Sequence, residues 1–113
     1  DFPPEMASLA KTRIDEEGEL VAARFELYIE GLELANAYDE LIDADVLRSR
    51  FEADNAERAK LSLHVMPIDE YLLGALPKMP ECSGIALGID RLLMIATNQM
   101  KLEKVITFPA DIS

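Results

Sequence analysis

Residues 24–41 read RFELYIEGLELANAYDEL, and apolar and polar side chains alternate along most of this stretch. Phe25, Leu27 and Ile29 alternate with more polar neighbours, and the same period of two continues beyond the Glu-Gly pair at 30–31. A period of two is typical of a β-strand with one face against a core. Because only two residues separate the runs, the pattern predicts a β-hairpin that turns at this pair.

The predicted hairpin is rich in acidic side chains. A two-residue turn places Glu26 opposite Ala35. Glu26 and Glu33 then become diagonal neighbours on one face, about 7–8 Å apart at the backbone. Two carboxylates at that separation can share a divalent cation or bind an ammonium group. A solvated acidic face is the simpler interpretation of the composition, but the partner strand has no lysine to neutralise it.

Two polar residues further along the second strand have the opposite parity to Glu33. Asn36 and Glu40 share one parity, so a regular strand would point them to the other face of the sheet. All three side chains can reach one pocket only where the strand bulges or bends near residues 35–37. We therefore predict a local distortion of the second strand.

The composition limits the kinds of partner. The 113 residues are half apolar, enough for one unit with a small core, and we treat residues 1–113 as a single unit. A formal charge of −11 argues against a broad nucleic-acid surface and an anionic membrane surface. The single cysteine, Cys82, excludes an internal disulfide and indicates a reducing compartment, the cytoplasm. The chain lacks an initiator Met, and we expect it to be a piece of a longer protein.

Two helices are predicted in the middle of the chain. Asp43 can cap a helix that runs to about Leu61, and its thin apolar stripe indicates a surface helix. A second, shorter helix is predicted between Pro67 and Pro77, because Pro disfavours helix just before it.

The ends of the chain complete the predicted fold. Residues 1–19 are expected to be irregular with one short strand, and residues 83–88 to form a strand of small residues. Residues 89–96 are predicted to form a helix buried on nearly every side, and residues 105–108 a last short strand. Strands and helices mix without βαβ regularity, which favours an α+β fold, an antiparallel sheet with flanking helices.

The strand of small residues leads into the sequence SGIALGIDR. Gly84, Ala86 and Gly88 occupy alternate positions, so one face of the strand is expected to be nearly bare, and a flat ligand could lie against the backbone. Arg91 follows in the first turn of the next helix, where the helix dipole favours anions, and its guanidinium suits a phosphate. Alternatively, the small residues only allow a helix to pack closely, and the arginine pairs with the aspartate before it.

These two stretches, in this order, resemble the C-terminal part of a class II aminoacyl-tRNA synthetase catalytic core of the lysyl type. GIALGIDRLLM, at 84–94, resembles the third signature motif of that class, and residues 24–41 resemble its strand pair for ATP, magnesium and the amino acid. Within the group the chain is most similar to elongation factor P–(R)-β-lysine ligases, which are lysyl-tRNA synthetase paralogues without an anticodon-binding domain. The residues that carry this likeness are 33–36 (ELAN), Met79-Pro80, 82–84 (CSG) and especially Ala86, where lysyl-tRNA synthetases usually have glycine. Ala37 departs from both groups, which commonly have glycine at that position.

The resemblance implies ATP-dependent activation of lysine or (R)-β-lysine as an aminoacyl-adenylate, with transfer to a lysine of elongation factor P. The alternatives are a lysyl-tRNA synthetase that charges lysine tRNA, and a non-catalytic synthetase-like binding module. ATP and Mg²⁺ are the implied cofactors, a homodimer is the implied state of the full-length protein, and no membrane is involved. The first and second signature motifs are absent from these 113 residues, so we expect the chain to be inactive alone.

The resemblance also implies roles for residues at the nucleotide. Glu26 and the backbone at Leu27 would contact ATP, and Glu26 and Glu33 would hold its magnesium. Gly88 would lie against the nucleotide, and Arg91 would pair with its phosphates. Glu33 and Arg91 are the implied catalytic residues.

The implied substrate pocket uses a second set of residues. Glu33 would face the substrate amine, and Asn36 and Glu40 would hold the substrate. Glu40 is the candidate for its terminal ammonium group. Tyr38 would line the pocket, and the methyl group of Ala86 would influence which lysine isomer fits.

Overall fold

The computed structural model describes residues 1–110, which form an α+β fold, as predicted, but with two antiparallel sheets where one was predicted. The first sheet pairs β1 with β2, and the second has the strand order β3-β4-β5. None of the helices in this part of the chain is long and apolar enough to cross a membrane. The elements are β1 (Thr12–Ile14), β2 (Leu20–Ala22), β3 (Arg24–Ile29), β4 (Leu32–Asp39), α1 (Ala44–Lys60), α2 (Glu70–Ala75), β5 (Ser83–Leu87) and α3 (Ile89–Ala96), with short 3₁₀ turns at Pro4–Met6, Leu76–Lys78 and Leu102–Lys104.

Backbone contacts divide the chain into two compact units. Unit 1 comprises Asp1–Arg24 and Tyr38–Gly84, and unit 2 comprises Phe25–Ala37 and the chain from Ile85 onward. The division passes through β3, β4 and β5. The treatment of residues 1–113 as a single unit stays a prediction.

The hairpin of unit 2 has the predicted two-residue turn. Glu30 and Gly31 have φ values of 51° and 78°, the left-handed region that a type I′ turn requires at both central residues. This turn suits the right-handed twist of the flanking strands, whereas a type I turn would splay them. Gly31 adopts its positive φ without strain. The positive φ of Glu30 is costly, because Glu30 has a side chain.

Strands β4 and β5 run antiparallel in a regular register. In unit 2 the N–H of Gly88 donates to the carbonyl of Leu34 at 2.9 Å, and in unit 1 the N–H of Glu40 donates to that of Cys82 at 3.0 Å. The two bonds are equally spaced along both strands, so neither strand has an extra residue between them. This register places residue 36 opposite residue 86, and residue 38 opposite residue 84.

The pairing of β4 with β3 changes by one residue along its length. At the turn, Ile29 faces Leu32, but the N–H of Asp39 donates to the carbonyl of Ala23 at 2.9 Å. The β4 side therefore contains one residue more than the β3 side, as a β-bulge does. The extra residue lies between Leu32 and Asp39, the span that contains the predicted distortion.

Helix α1 is the capped surface helix that the sequence predicts. The side chain of Asp43 accepts hydrogen bonds from the backbone N–H groups of Asp45 and Val46, at 3.0 and 3.1 Å. Leu47 is the buried residue of this 17-residue helix. It packs in the core of unit 1, which also contains Leu41, Leu73 and Leu76 from the chain before α1 and from the region of α2.

The structure corrects the prediction that α3 is buried on nearly every side. The helix has the predicted bounds, but Met94 is its buried residue, and the side chains of Leu92 and Leu93 are 41% and 43% exposed. A helix that is apolar all round becomes buried only where chain covers all its sides. The described residues of unit 2 do not provide that cover.

The strand predicted at residues 105–108 is wrong. A 3₁₀ turn at Leu102–Lys104 precedes this segment, which continues as irregular chain to residue 110. A strand requires a hydrogen-bonded neighbour, and the order β3-β4-β5 gives this segment none among the described residues. Near the start of the chain, β1 is the expected short strand, and β2 is its unanticipated partner.

Candidate functional site

The candidate residues are distributed over both units, and each group is described within its own unit. Tyr38 and Glu40 belong to unit 1. Those of unit 2 are Glu26, Leu27, Glu33, Asn36, Ala86, Gly88 and Arg91.

Arg91 in unit 2 is anchored on the main chain of the neighbouring strand. Its Nη1 donates a hydrogen bond to the backbone carbonyl of Glu33 at 2.7 Å. Its side chain also runs beside Gly88, where an added Cβ would stand 3.5 Å from the Cδ of Arg91. A guanidinium has five N–H donors, so donors remain for an anion. The bond positions a cationic group next to residue 33 of β4.

Two carboxylates of the hairpin differ in their partners. The hydroxyl of Tyr28 donates a hydrogen bond to Oε2 of Glu26. Glu33 is half-buried, and its carboxylate has no hydrogen-bond or ion-pair partner among residues 1–110. An oxygen ligand without a partner is available to a cation or an ammonium group.

The donor set fits Mg²⁺ better than a metal held by the protein alone. In the described part of the chain, no three His, Cys, Asp or Glu side chains are grouped to hold a metal ion. Mg²⁺ is commonly held by one or two carboxylates together with substrate phosphates and water. Glu26 and Glu33 are carboxylates of the kind that this arrangement uses.

Asn36 and Ala37 follow Glu33 along β4. Asn36 is half-buried and lies opposite Ala86, whose methyl side chain is exposed. Ala37 is 5% exposed, so the methyl group that replaces the usual glycine is buried within a continuous strand.

Glu40 in unit 1 lies over Gly84. A Cβ added at Gly84 would clash with its Oε1 and would stand 3.4 Å from its carboxyl carbon. The face of β5 that was predicted to be nearly bare is therefore covered at Gly84 by Glu40, and at Gly88 the side chain of Arg91 runs beside it. The carboxylate of Glu40 makes no hydrogen bond or ion pair within residues 1–110.

Tyr38 belongs to an aromatic and cationic cluster in the same unit. The guanidinium carbon of Arg24 lies 5.4 Å from the ring centre of Tyr38 and 4.5 Å from that of Phe2. Arg24 also donates a hydrogen bond to the carbonyl of Met6 at 2.7 Å. The side chain of Tyr38 is thus held by a cation of its own unit.

Comparison with known proteins gives the family. Residues 1–112 match the family model of class II tRNA synthetases (D, K and N). The chain belongs to this family. The resemblance drawn from the two motifs is confirmed.

Two curated relatives of this class II synthetase chain are named elongation factor P–(R)-β-lysine ligase. The elongation factor P–(R)-β-lysine ligase of Pectobacterium carotovorum subsp. carotovorum (strain PC1) is 53% identical over 111 residues, which are 97% of this chain and 34% of the relative. The ligase of the same name from Yersinia pestis (strain Pestoides F) is 50% identical over 113 residues, 99% of this chain and 34% of the relative. The chain therefore spans about a third of the length of these relatives.

A cavity of about 500 Å³ in unit 1 of the class II synthetase chain contains none of the candidate residues. It lies between α1 and the segment 61–69, and Phe51, Asn55 and Met66 are among its lining residues. The amide of Asn55 bonds both the N–H and the carbonyl of Met66, at 2.9 and 2.8 Å. These two bonds give Asn55 a structural role in the cavity wall.

Sequence analysis missed the contact between Glu40 and Gly84. It treated the glycine as one of several small residues and the glutamate as a separate ligand for the substrate. The register of β4 and β5 would have brought them together, because it places residues 38 and 84 opposite each other.

Proposed function

We propose that the intact protein containing this chain activates lysine or (R)-β-lysine with ATP and transfers it to a lysine of elongation factor P. The substrate carboxylate attacks the α-phosphate, and pyrophosphate leaves. The acceptor amine then attacks the carbonyl of the adenylate, AMP leaves, and the amine loses a proton as the amide forms. The observation that carries the proposal is the bond from Arg91 to the main chain of Glu33. It supports the proposal because it holds the cation that we assign to the phosphates next to the residue whose carboxylate we assign to magnesium and the amine.

The nucleotide side uses residues of unit 2. We assign Arg91 to the phosphates, Glu26 and Glu33 to magnesium, and Gly88 with the backbone of Leu27 to the nucleotide. Magnesium supplies charge neutralisation at the phosphates when it is bound. The protein groups orient the reactants and need no nucleophile of their own.

The assignments on the amino-acid side follow the family resemblance residue by residue. We assign Glu33 to the substrate amine, Asn36 and Tyr38 to substrate contacts, and Glu40 to the terminal ammonium. The half-buried carboxylates of Glu33 and Glu40, without partners in residues 1–110, support the two ammonium assignments. The exposed methyl group of Ala86 is assigned to the choice between lysine isomers.

The setting of the enzyme belongs to the same proposal. We place the intact protein in the cytoplasm as a homodimer, with the chain alone inactive. The relatives' name supports elongation factor P as acceptor. The second candidate, a lysyl-tRNA synthetase, is favoured by the family model, which includes the K subgroup.

ATP–pyrophosphate exchange by the intact protein tests the proposal. We expect exchange with (R)-β-lysine to exceed exchange with α-lysine, and Arg91→Ala to lower it on the order of 100-fold because a preorganised cation is lost. Lys60→Ala removes a cation of α1 that is also exposed and should leave the rate unchanged.

Three results contradict the proposal in different ways. Efficient charging of lysine tRNA would identify the second candidate. Absence of exchange with either isomer would identify a binding module. Unchanged exchange in Arg91→Ala would remove Arg91 from the site.

A further inference from the structure

The contact of Glu40 with Gly84 is imposed by the main chain on both sides of Glu40. The N–H of Glu40 donates to the carbonyl of Cys82 on the side of β5, and Glu40 forms a β-bridge with Ala10 on the other side. The N–H of the next residue, Leu41, donates to the carbonyl of Leu9 at 3.0 Å. These contacts hold Glu40 in register just after β4, and its side chain lies over Gly84 of β5.

Space rather than backbone conformation favours glycine at position 84. Among the described glycines, Gly18 and Gly31 have a positive φ, and Gly84 does not. Alanine could therefore adopt the backbone angles of Gly84. Its Cβ would come closer to Oε1 of Glu40 than van der Waals contact allows, so the carboxylate would have to move.

We propose that Gly84 is a positioning residue that holds the carboxylate of Glu40 against β5, where it selects substrates with a terminal ammonium group. This inference rests on the proposed function, in which Glu40 binds that group. The missing side chain at position 84 allows the carboxylate to lie flat on the strand. The carboxylate keeps its oxygens available because no group within residues 1–110 pairs with it.

The intact protein with Gly84→Ala tests this role. We expect the KM for the lysine-type substrate in ATP–pyrophosphate exchange to rise about 10- to 100-fold, as for a substrate contact displaced by one methyl group. The KM for ATP should not change. Exchange with an analogue that has a methyl group in place of the terminal ammonium should change little, so the preference for the ammonium falls.

Gly74→Ala is the matched control. An added Cβ at Gly74 in α2 meets no heavy atom within 4 Å, so the same substitution should leave both KM values and the preference unchanged. A purely structural effect of glycine replacement would instead lower kcat and both affinities together.

A second pair of variants tests the contact itself. Glu40→Asp shortens the side chain by one methylene, so the double variant Glu40→Asp, Gly84→Ala should recover part of the affinity lost in Gly84→Ala. If Gly84→Ala fails to fold, the double variant should restore folding because the space is cleared. In the Glu40→Gln background, Gly84→Ala should lower the affinity for the lysine-type substrate by less than a further twofold, because the carboxylate that Gly84 positions is already absent.

Two results would overturn the inference while leaving the proposed function intact. One is a wild-type KM for the lysine-type substrate in Gly84→Ala. The other is a KM increase in the double variant equal to the product of the increases in the Glu40 and Gly84 single variants. Failure of the double variant to fold or to recover affinity would also overturn it. Absence of exchange by the wild-type protein with either lysine isomer would overturn both.

Discussion

Glu30 is a non-glycine residue in a turn position that favours glycine or asparagine. Its φ of 51° costs a side chain about 1–2 kcal/mol, and asparagine bears less of this cost because its short amide bonds locally. We predict that Glu30→Asn raises the free energy of unfolding of the intact protein by about 1 kcal/mol. Denaturant unfolding measures the change.

The net charge of −11 requires a control for that prediction, because removing any acidic group lowers self-repulsion. Glu17→Asn makes the same change at a residue between β1 and β2 whose own φ is not positive. Equal stabilisation by both variants would attribute the effect to charge and not to the turn.

At the scale of elements, one bidentate ion pair joins α1 to α2. Nη1 and Nη2 of Arg48 donate to the two carboxylate oxygens of Glu70, at 2.9 and 2.6 Å. The hydrogen bonds and the charge of Arg48 lower the pKa of Glu70 below its ordinary value of 4.5. A carboxyl with a lowered pKa stabilises the folded state above its ordinary pKa, and this contribution is lost as the pH falls through the lowered value.

We therefore predict a steeper loss of stability below pH 4.5 in the wild-type protein than in Glu70→Gln. The difference should be small and should shrink at about 1 M salt, because both side chains are exposed. Unfolding curves of the intact protein between neutral and acid pH measure it. Glu16→Gln, which removes an exposed acid without an ion pair in the described residues, should keep the wild-type slope.

The elements were predictable where local signals agreed. The period of two identified the hairpin, and the aspartate at position 43 marked the start of α1. The exposure of α3 was not predictable, because periodicity shows which residues are apolar but not whether chain exists to cover them. The prediction of a strand at residues 105–108 failed for a related reason, since β-propensity does not supply a neighbouring strand.

The candidate site was predictable as residue types but not as contacts. The bond from Arg91 reaches a carbonyl 58 residues away in sequence, and nothing in the local pattern specifies that register. The carboxylate over Gly84 depends on the same missing information. Both contacts follow from the strand pairing, which forms only in the folded chain.

At the scale of the whole molecule, unit 2 exposes large apolar side chains. Phe25, Ile85 and Ile89 are 55%, 63% and 67% exposed, and such surfaces usually meet further protein. Since the relatives are about three times longer, we expect this surface to be covered in the intact protein. Ile85→Ala should then cost about 2–4 kcal/mol of stability.

Tyr71→Ala serves as the control for an exposed position, because Tyr71 in α2 is 92% exposed. It should change the stability by less than about 0.5 kcal/mol. Thermal unfolding of the intact protein compares the two variants. Strand propensity alone accounts for a loss of stability of up to about 1 kcal/mol. A smaller loss than this for Ile85→Ala would therefore show that the surface remains in solvent.

The bond from Arg91 to residue 33 ends on a main-chain carbonyl, which every amino acid possesses. The anchor of this cation is therefore indifferent to the identity of the side chain at position 33. Over evolutionary time, that side chain can be exchanged for one that suits another amine while the cation stays in place. Under the proposed function, substrate choice at position 33 of the hairpin and phosphate binding by Arg91 of α3 can thus diverge independently.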